Sequence, residues 1–196
     1  MLPFNGKTMD IREHSITLVS VIVGLGLTEL LANLNALIRA RDGVRWHALP
    51  LAWAAVSLIL VVNLWWGIYL GAIGIATPSN AGAFLLYLVV PVLLYLVCSA
   101  ALPEARGTAA VDLRASYYEC SGYFSTLLCA YVAATLLQAY LARGSVGWTP
   151  LATVMRFGIL GVLLPLVWVR RPWYHWFAAT FMLIVLSLRM ATQTLE

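Results

Sequence analysis

An all-α bundle of six membrane-spanning helices is the fold class this chain predicts, on three observations. Of its 196 residues, 62% are hydrophobic and 10% charged, against about 45–50% and about 25% in water-soluble domains. Six apolar stretches of the length that crosses a hydrocarbon core, about 20 residues, are separated by charges, glycine or proline. Tryptophan and tyrosine gather near the ends of these stretches, where their amphipathic rings suit a membrane–water interface. The same arithmetic excludes a soluble domain, which has too little interior for so much apolar surface, and a disordered chain, which needs low hydrophobicity.

The first stretch, residues 15–38, ends at Arg39, Arg41, Asp42 and Gly43. The second, 47–72, tolerates Pro50 in its opening turn, where a helix leaves the N–H unpaired in any case. An uncharged segment rich in helix breakers, from Gly74 to Gly82, leads into the third, 82–102, which Pro103 and Glu104 close. After a loop of mixed charge comes the fourth, 117–141; its approach, Asp112 to Glu119, reads as a solvated connection or as an amphipathic turn on the membrane surface. The fifth, 149–169, stops at Arg170, Arg171 and Pro172, and the sixth occupies 173–189. Short connections leave one domain, 1–196. The first fourteen residues hold Asp10 and Glu13 and no apolar core, so the first stretch is expected to act as an uncleaved insertion signal. The six stretches form either two inverted three-helix halves, an arrangement used by many carriers, or six unrelated helices.

Orientation follows from the cations, eleven of which are arginine and one of which is Lys7. The connections after stretches one, three and five carry Arg39, Arg41, Arg45, Arg106, Arg114, Arg170 and Arg171; the opposite side carries Lys7, Arg12, Arg143 and Arg189. Positive charge is retained on the cytoplasmic side, so both termini are expected outside the cytoplasm, in an inner (plasma) membrane. A net charge of +4 is explained by these anchoring arginines, and no nucleic-acid partner is expected. Cys98, Cys120 and Cys129 lie in or beside apolar stretches, an odd number that fits neither a disulfide framework nor a metal motif.

The informative residues are those that a bilayer penalises. A charged side chain at mid-span costs about 2.5–3.5 kcal/mol on insertion scales and normally meets a partner or a wet cavity. Glu29 stands about halfway along the first stretch, on one helical face with Gly26 and Asn33. Asn63 places an amide in the second stretch. Tyr95 shares a stripe of the third with Tyr87, Pro91 and Cys98, and Pro91 frees a backbone carbonyl one turn earlier. Arg156 lies about 9 Å into the fifth stretch, at 1.5 Å per residue, and Arg189 near the far end of the sixth. Glu29 is expected either to be neutralised by Arg156 or Arg189 or to be protonated by burial. The ion pair could equally serve only to fix helix register, or Glu29 could face a subunit interface. Arg106 and Arg114 are candidates for a partner or for lipid headgroups.

Motifs that would name a chemistry are missing. The sequence has no potassium-filter signature, no regularly spaced arginines of a voltage sensor, no nucleophile elbow and no zinc-protease pattern. His47 and His175 open their stretches on one side and are weak metal candidates; Ser99 or Ser121 with His175 would be the only nucleophile–base option, and no spacing selects it. No cofactor is expected. The overall look is similar to small bacterial six-helix inner-membrane proteins, with no family motif to carry further. The expected function is a small channel or ion- or proton-coupled transporter with a path past Glu29, Asn33, Asn63, Tyr95, Arg156 and Arg189, in the lipid bilayer and as a homo-oligomer or with a partner membrane subunit. A non-catalytic membrane module that binds a partner subunit or lipid is the alternative, and a membrane enzyme or cofactor carrier comes third.

Overall fold

The computed structural model describes residues 11–69, 81–104, 111–141 and 150–193. Helix dominates: α1 (Ile11–Arg39), α2 (Ala48–Tyr69), α3 (Ala81–Ala100), α4 (Leu113–Leu141), α5 (Pro150–Leu163) and α6 (Pro172–Gln193), with two-residue strands β1 (Val44–Arg45) and β2 (Val111–Asp112). Among the described residues four segments are long and apolar enough to cross a membrane, namely Ile16–Arg39, Ala48–Ile68, Leu113–Leu141 and Pro172–Ala191; Phe84–Ala100 and Val154–Val167 are shorter apolar helices.

Each helix reflects its local sequence. α2 is apolar on every side, the mark of a buried helix, and it takes the centre: Trp53, Val56 and Ser57 are inaccessible or nearly so, and it packs against α6, α1, α3 and α4. α1 lies along α3, and Gly26 makes the approach possible, since a Cβ there would stand 3.2 Å from the Tyr95 Cα. α6 packs chiefly on α2, so the second group of three helices does not repeat the packing of the first.

Two expectations are revised. The approach to the fourth stretch is already helical: α4 begins at Leu113, because Asp112 supplies an N-cap, its Oδ1 accepting the N–H groups of Arg114 (2.9 Å) and Ala115 (3.1 Å). The fifth stretch ends its α-helix at Leu163 and tightens to a 3₁₀ turn over Leu164–Val167 around Pro165. That tightening withdraws the usual partner of the Val162 carbonyl, and the Tyr174 hydroxyl of α6 donates to it at 2.8 Å.

One end of the bundle is stitched together by its connections. β1 and β2 pair in parallel, Val44 with Val111 and Arg45 with Asp112, and the Arg45 guanidinium lies 3.9 Å from the Asp112 carboxylate. His47 caps α2, its Nδ1 accepting the Leu49 N–H at 3.3 Å, while its ring meets Trp176 of α6 at 6.3 Å. The end of α1 and the starts of α2, α4 and α6 therefore share this end, which exposes Arg39, Arg41, Arg45, Arg114, Arg170 and Arg171.

The Ala115 N–H, then the Arg114 N–H and the nearby Arg45 and Arg114 charges, hold the Asp112 carboxyl below its ordinary value of 3.8. A carboxyl depressed in the folded state stabilises it above the ordinary value and loses that contribution as pH falls through the folded value. Asp112→Asn keeps the cap and removes the charge, so the variant is expected to melt below the parent at neutral pH and to converge with it below pH 3.8. Melting curves across that range check this.

Candidate functional site

The polar residues of the interior lie at different levels. Counted from the arginine-rich end at 1.5 Å per residue, Asn33 lies about 9 Å deep on α1, Glu29 about 15 Å, and Asn63 about 22 Å on α2. Asn33 and Asn63 are more than nine-tenths buried, and Glu29 is half-buried at the edge of the same α1 face. Asn63 Nδ2 donates to the Ile59 carbonyl of its own helix at 3.1 Å, which leaves Asn63 Oδ1 without a partner; Asn33 Nδ2 also has none. Tyr95 is half-buried where α3 meets Gly26. Gly26 and Tyr95 meet where α1 lies along α3; Glu29 and Asn33 follow Gly26 along α1, and Asn63 lies deeper on the neighbouring α2.

Arg156 and Arg189 belong elsewhere. They lie within electrostatic reach of each other and of the buried Tyr131 on α4. Glu29 makes no ion pair with either; the carboxylates of Asp42 and Asp112 lie 3.8 Å from Arg41 and 3.9 Å from Arg45. The reason is topological. α1 packs on α3 and α2, whereas α5 packs on α4, so an arginine stem on α5 would have to pass an intervening helix to reach Glu29. Arg114 is exposed on the first turn of α4, and Arg106 lies outside the described residues.

Pro91 has no N–H for the Tyr87 carbonyl one turn below it. The side chain of Gln138, on α4, fills the vacancy: its Nε2 donates to the Tyr87 carbonyl and to that of Leu86, both at 3.1 Å. In a bilayer, where water is absent, such a substitute matters more than in solution.

The most completely satisfied polar unit is at the arginine-rich end. His175 is fully buried. Its Nε2–H donates to the Val169 carbonyl at 2.9 Å, which leaves Nδ1 to accept the Tyr117 hydroxyl at 2.8 Å. This donor order requires the neutral imidazole with its proton on Nε2. The Trp53 indole acts on the same hydroxyl outside strict hydrogen-bond geometry. Tyr117 and Tyr118 stand edge-on to the His175 ring, at 5.5 and 5.6 Å. One unit thereby ties α4 to α6 and to the link before it, next to central α2.

The two candidate histidines are engaged within the fold. Both nitrogens of His175 are committed, His47 Nδ1 is spent on a helix cap, and no cluster of three metal-ligating side chains occurs among the described residues. The Ser99 and Ser121 hydroxyls donate to the Leu96 and Tyr118 carbonyls, so neither partners His175.

Beside this unit lies a cavity of about 200 Å³ between the start of α2, the end of α3 and the start of α4; Pro50, Ser99, Glu104, Tyr117, Tyr123 and Phe124 are among its walls. No family model, curated protein or solved structure matches this chain.

Sequence reasoning placed Asn33 and Asn63 in the interior and found the carbonyl that Pro91 frees. It missed Tyr117 and the cavity. An available signal was the pair Tyr117–Tyr118 in the second turn after an Asp112 N-cap, which places both rings on a helix instead of at a loose interface.

Proposed function

We propose that this chain is a small ion- or proton-translocating protein of an inner membrane, with all six helices crossing the bilayer and a polar route past Asn33, Glu29 and Asn63. One observation carries the reading: two amides more than nine-tenths buried, on neighbouring helices, each keep a hydrogen-bonding atom without a protein partner, with a half-buried carboxyl between them in depth. Leaving such an atom dry costs about 1–3 kcal/mol, and water or a passing ion removes that cost. Tyr95 would border this route from α3, whereas Arg156 and Arg189, around Tyr131 of α4, lie apart from it. The excess of arginine at one end favours that end as cytoplasmic and both termini as non-cytoplasmic. A homo-oligomer or partner membrane subunit belongs to the same proposal, as does contact of Arg106 and Arg114 with anionic headgroups.

The test is flux into proteoliposomes that hold dyes for protons, sodium, potassium or chloride. The reading expects flux of at least one of them above protein-free vesicles. Glu29→Gln is expected to lower it or flatten its pH dependence, and Asn63→Leu to lower it about tenfold, equivalent to about 1.4 kcal/mol on a barrier, with thermal stability equal or improved because an unpaired acceptor has gone. Absence of flux for all four ions, or flux indifferent to both substitutions, overturns it.

A further inference from the structure

We propose that the arginine-rich end is a binding surface for anionic phospholipids, built jointly by three connections and centred on Arg45, Arg170 and Arg171. The proposal rests on the reading of all six helices as membrane-crossing, and not on the translocation route.

Charge is separated along the chain before folding gathers it. Residues 39–47, 101–116 and 168–173 hold seven arginines against three acids, Asp42, Glu104 and Asp112. However these groups pair, an excess of four positive charges remains at this end; the Arg41–Asp42 and Arg45–Asp112 contacts are already inside that count. Glu119, the next acid along the chain, in the second turn of α4, would lower the excess by one.

Two contacts then bring the connections together. The pairing of β1 with β2 sets Arg45 across from Asp112, two residues ahead of Arg114. Two residues beyond Arg45, the His47 ring meets Trp176 at 6.3 Å, in the second turn of α6, which Arg170 and Arg171 immediately precede. Segments far apart in sequence thereby form one belt. Its arginines are exposed, and so are Trp46, Trp168 and Trp173 beside them.

The mixture of side chains selects the partner. A guanidinium matches phosphate with its planar fork of donors, and each cation near an anionic leaflet strengthens the attraction about fivefold. A water-borne anion would meet the arginines but leave the exposed indoles in water. A headgroup layer offers phosphate and, directly beneath it, hydrocarbon, which suits the amphipathic indole as well. The ends of membrane-crossing helices lie in that layer.

The test is native mass spectrometry of the full chain from micelles holding equal amounts of phosphatidylglycerol and phosphatidylcholine, which counts the lipids of each kind retained. The parent is expected to retain phosphatidylglycerol over phosphatidylcholine about tenfold or more. Arg170→Gln combined with Arg171→Gln is expected to reduce that preference about tenfold. Arg170→Lys combined with Arg171→Lys keeps the charge and is expected to keep most of the preference. Arg143→Gln, in the connection between α4 and α5, is expected to leave it unchanged. Because Arg170 and Arg171 are exposed, both double variants are expected to melt with the parent in phosphatidylcholine alone. Absence of any preference in the parent, as for an end turned to water or to an acidic protein, overturns the proposal. So does displacement of the bound lipid by inorganic phosphate, which would mark a site for a soluble anion, or a preference that falls equally in the lysine and glutamine variants or in neither. No flux enters these readings, so this test and that of the translocation route fail separately.

Discussion

Replacing His175 with alanine is expected to destabilise the folded protein by about 3–5 kcal/mol, the largest single effect at any polar residue described. The imidazole is fully buried, so its removal leaves a void, and two bonds go with it: the Val169 carbonyl loses its donor and the Tyr117 hydroxyl its acceptor. Tyr117→Phe is the milder probe. It preserves the ring and its edge-on contacts but strands His175 Nδ1, for about 1–3 kcal/mol. Denaturant or thermal unfolding in mild detergent ranks the three proteins, and the expected order is parent, Tyr117→Phe, His175→Ala. A His175→Ala loss below about 1 kcal/mol, the net worth of one ordinary hydrogen bond, would show that the unit is not a structural tie.

The second large effect is conditional. Gln138→Leu strips the Tyr87 carbonyl of its donor and is expected to cost about 1–2 kcal/mol, the upper range for a side-chain bond between membrane helices. Pro91→Ala supplies the missing backbone N–H, after which α3 can close its own turn. Gln138→Leu made on the Pro91→Ala background is therefore expected to cost little, and the double-mutant cycle to give a coupling of about 1–2 kcal/mol. Additive costs would mean that Gln138 holds α3 for reasons unrelated to the proline.

Much of the architecture was legible because the bilayer allows few solutions. Every helix overlaps one of the predicted stretches, since a run of twenty apolar residues has no other way to satisfy its backbone. What periodicity along one helix does not contain is which helix neighbours which. Glu29 and Arg156 looked like partners by depth alone, yet depth is one coordinate of three, and the placement of α3 and α4 between α1 and α5 decides the matter. The start of α4 was misplaced for a more local reason: the capping carboxylate of Asp112 outweighs the polarity of Arg114, Ser116 and Glu119. His175 was noticed as an isolated histidine near a helix start. Its partner Tyr117 is 58 positions away, and nothing in either local sequence announces the other. The cavity is less legible still, since a void belongs to the fit between three helix ends.

The two-residue pairing of β1 with β2 bears on how the molecule is assembled. Val44 and Arg45 leave the ribosome well before Val111 and Asp112, so the clasp can close only after α2 and α3 have been made. Two fragments divided between α3 and α4 would each carry half of that clasp, which gives separately made halves a shared edge on which to rejoin.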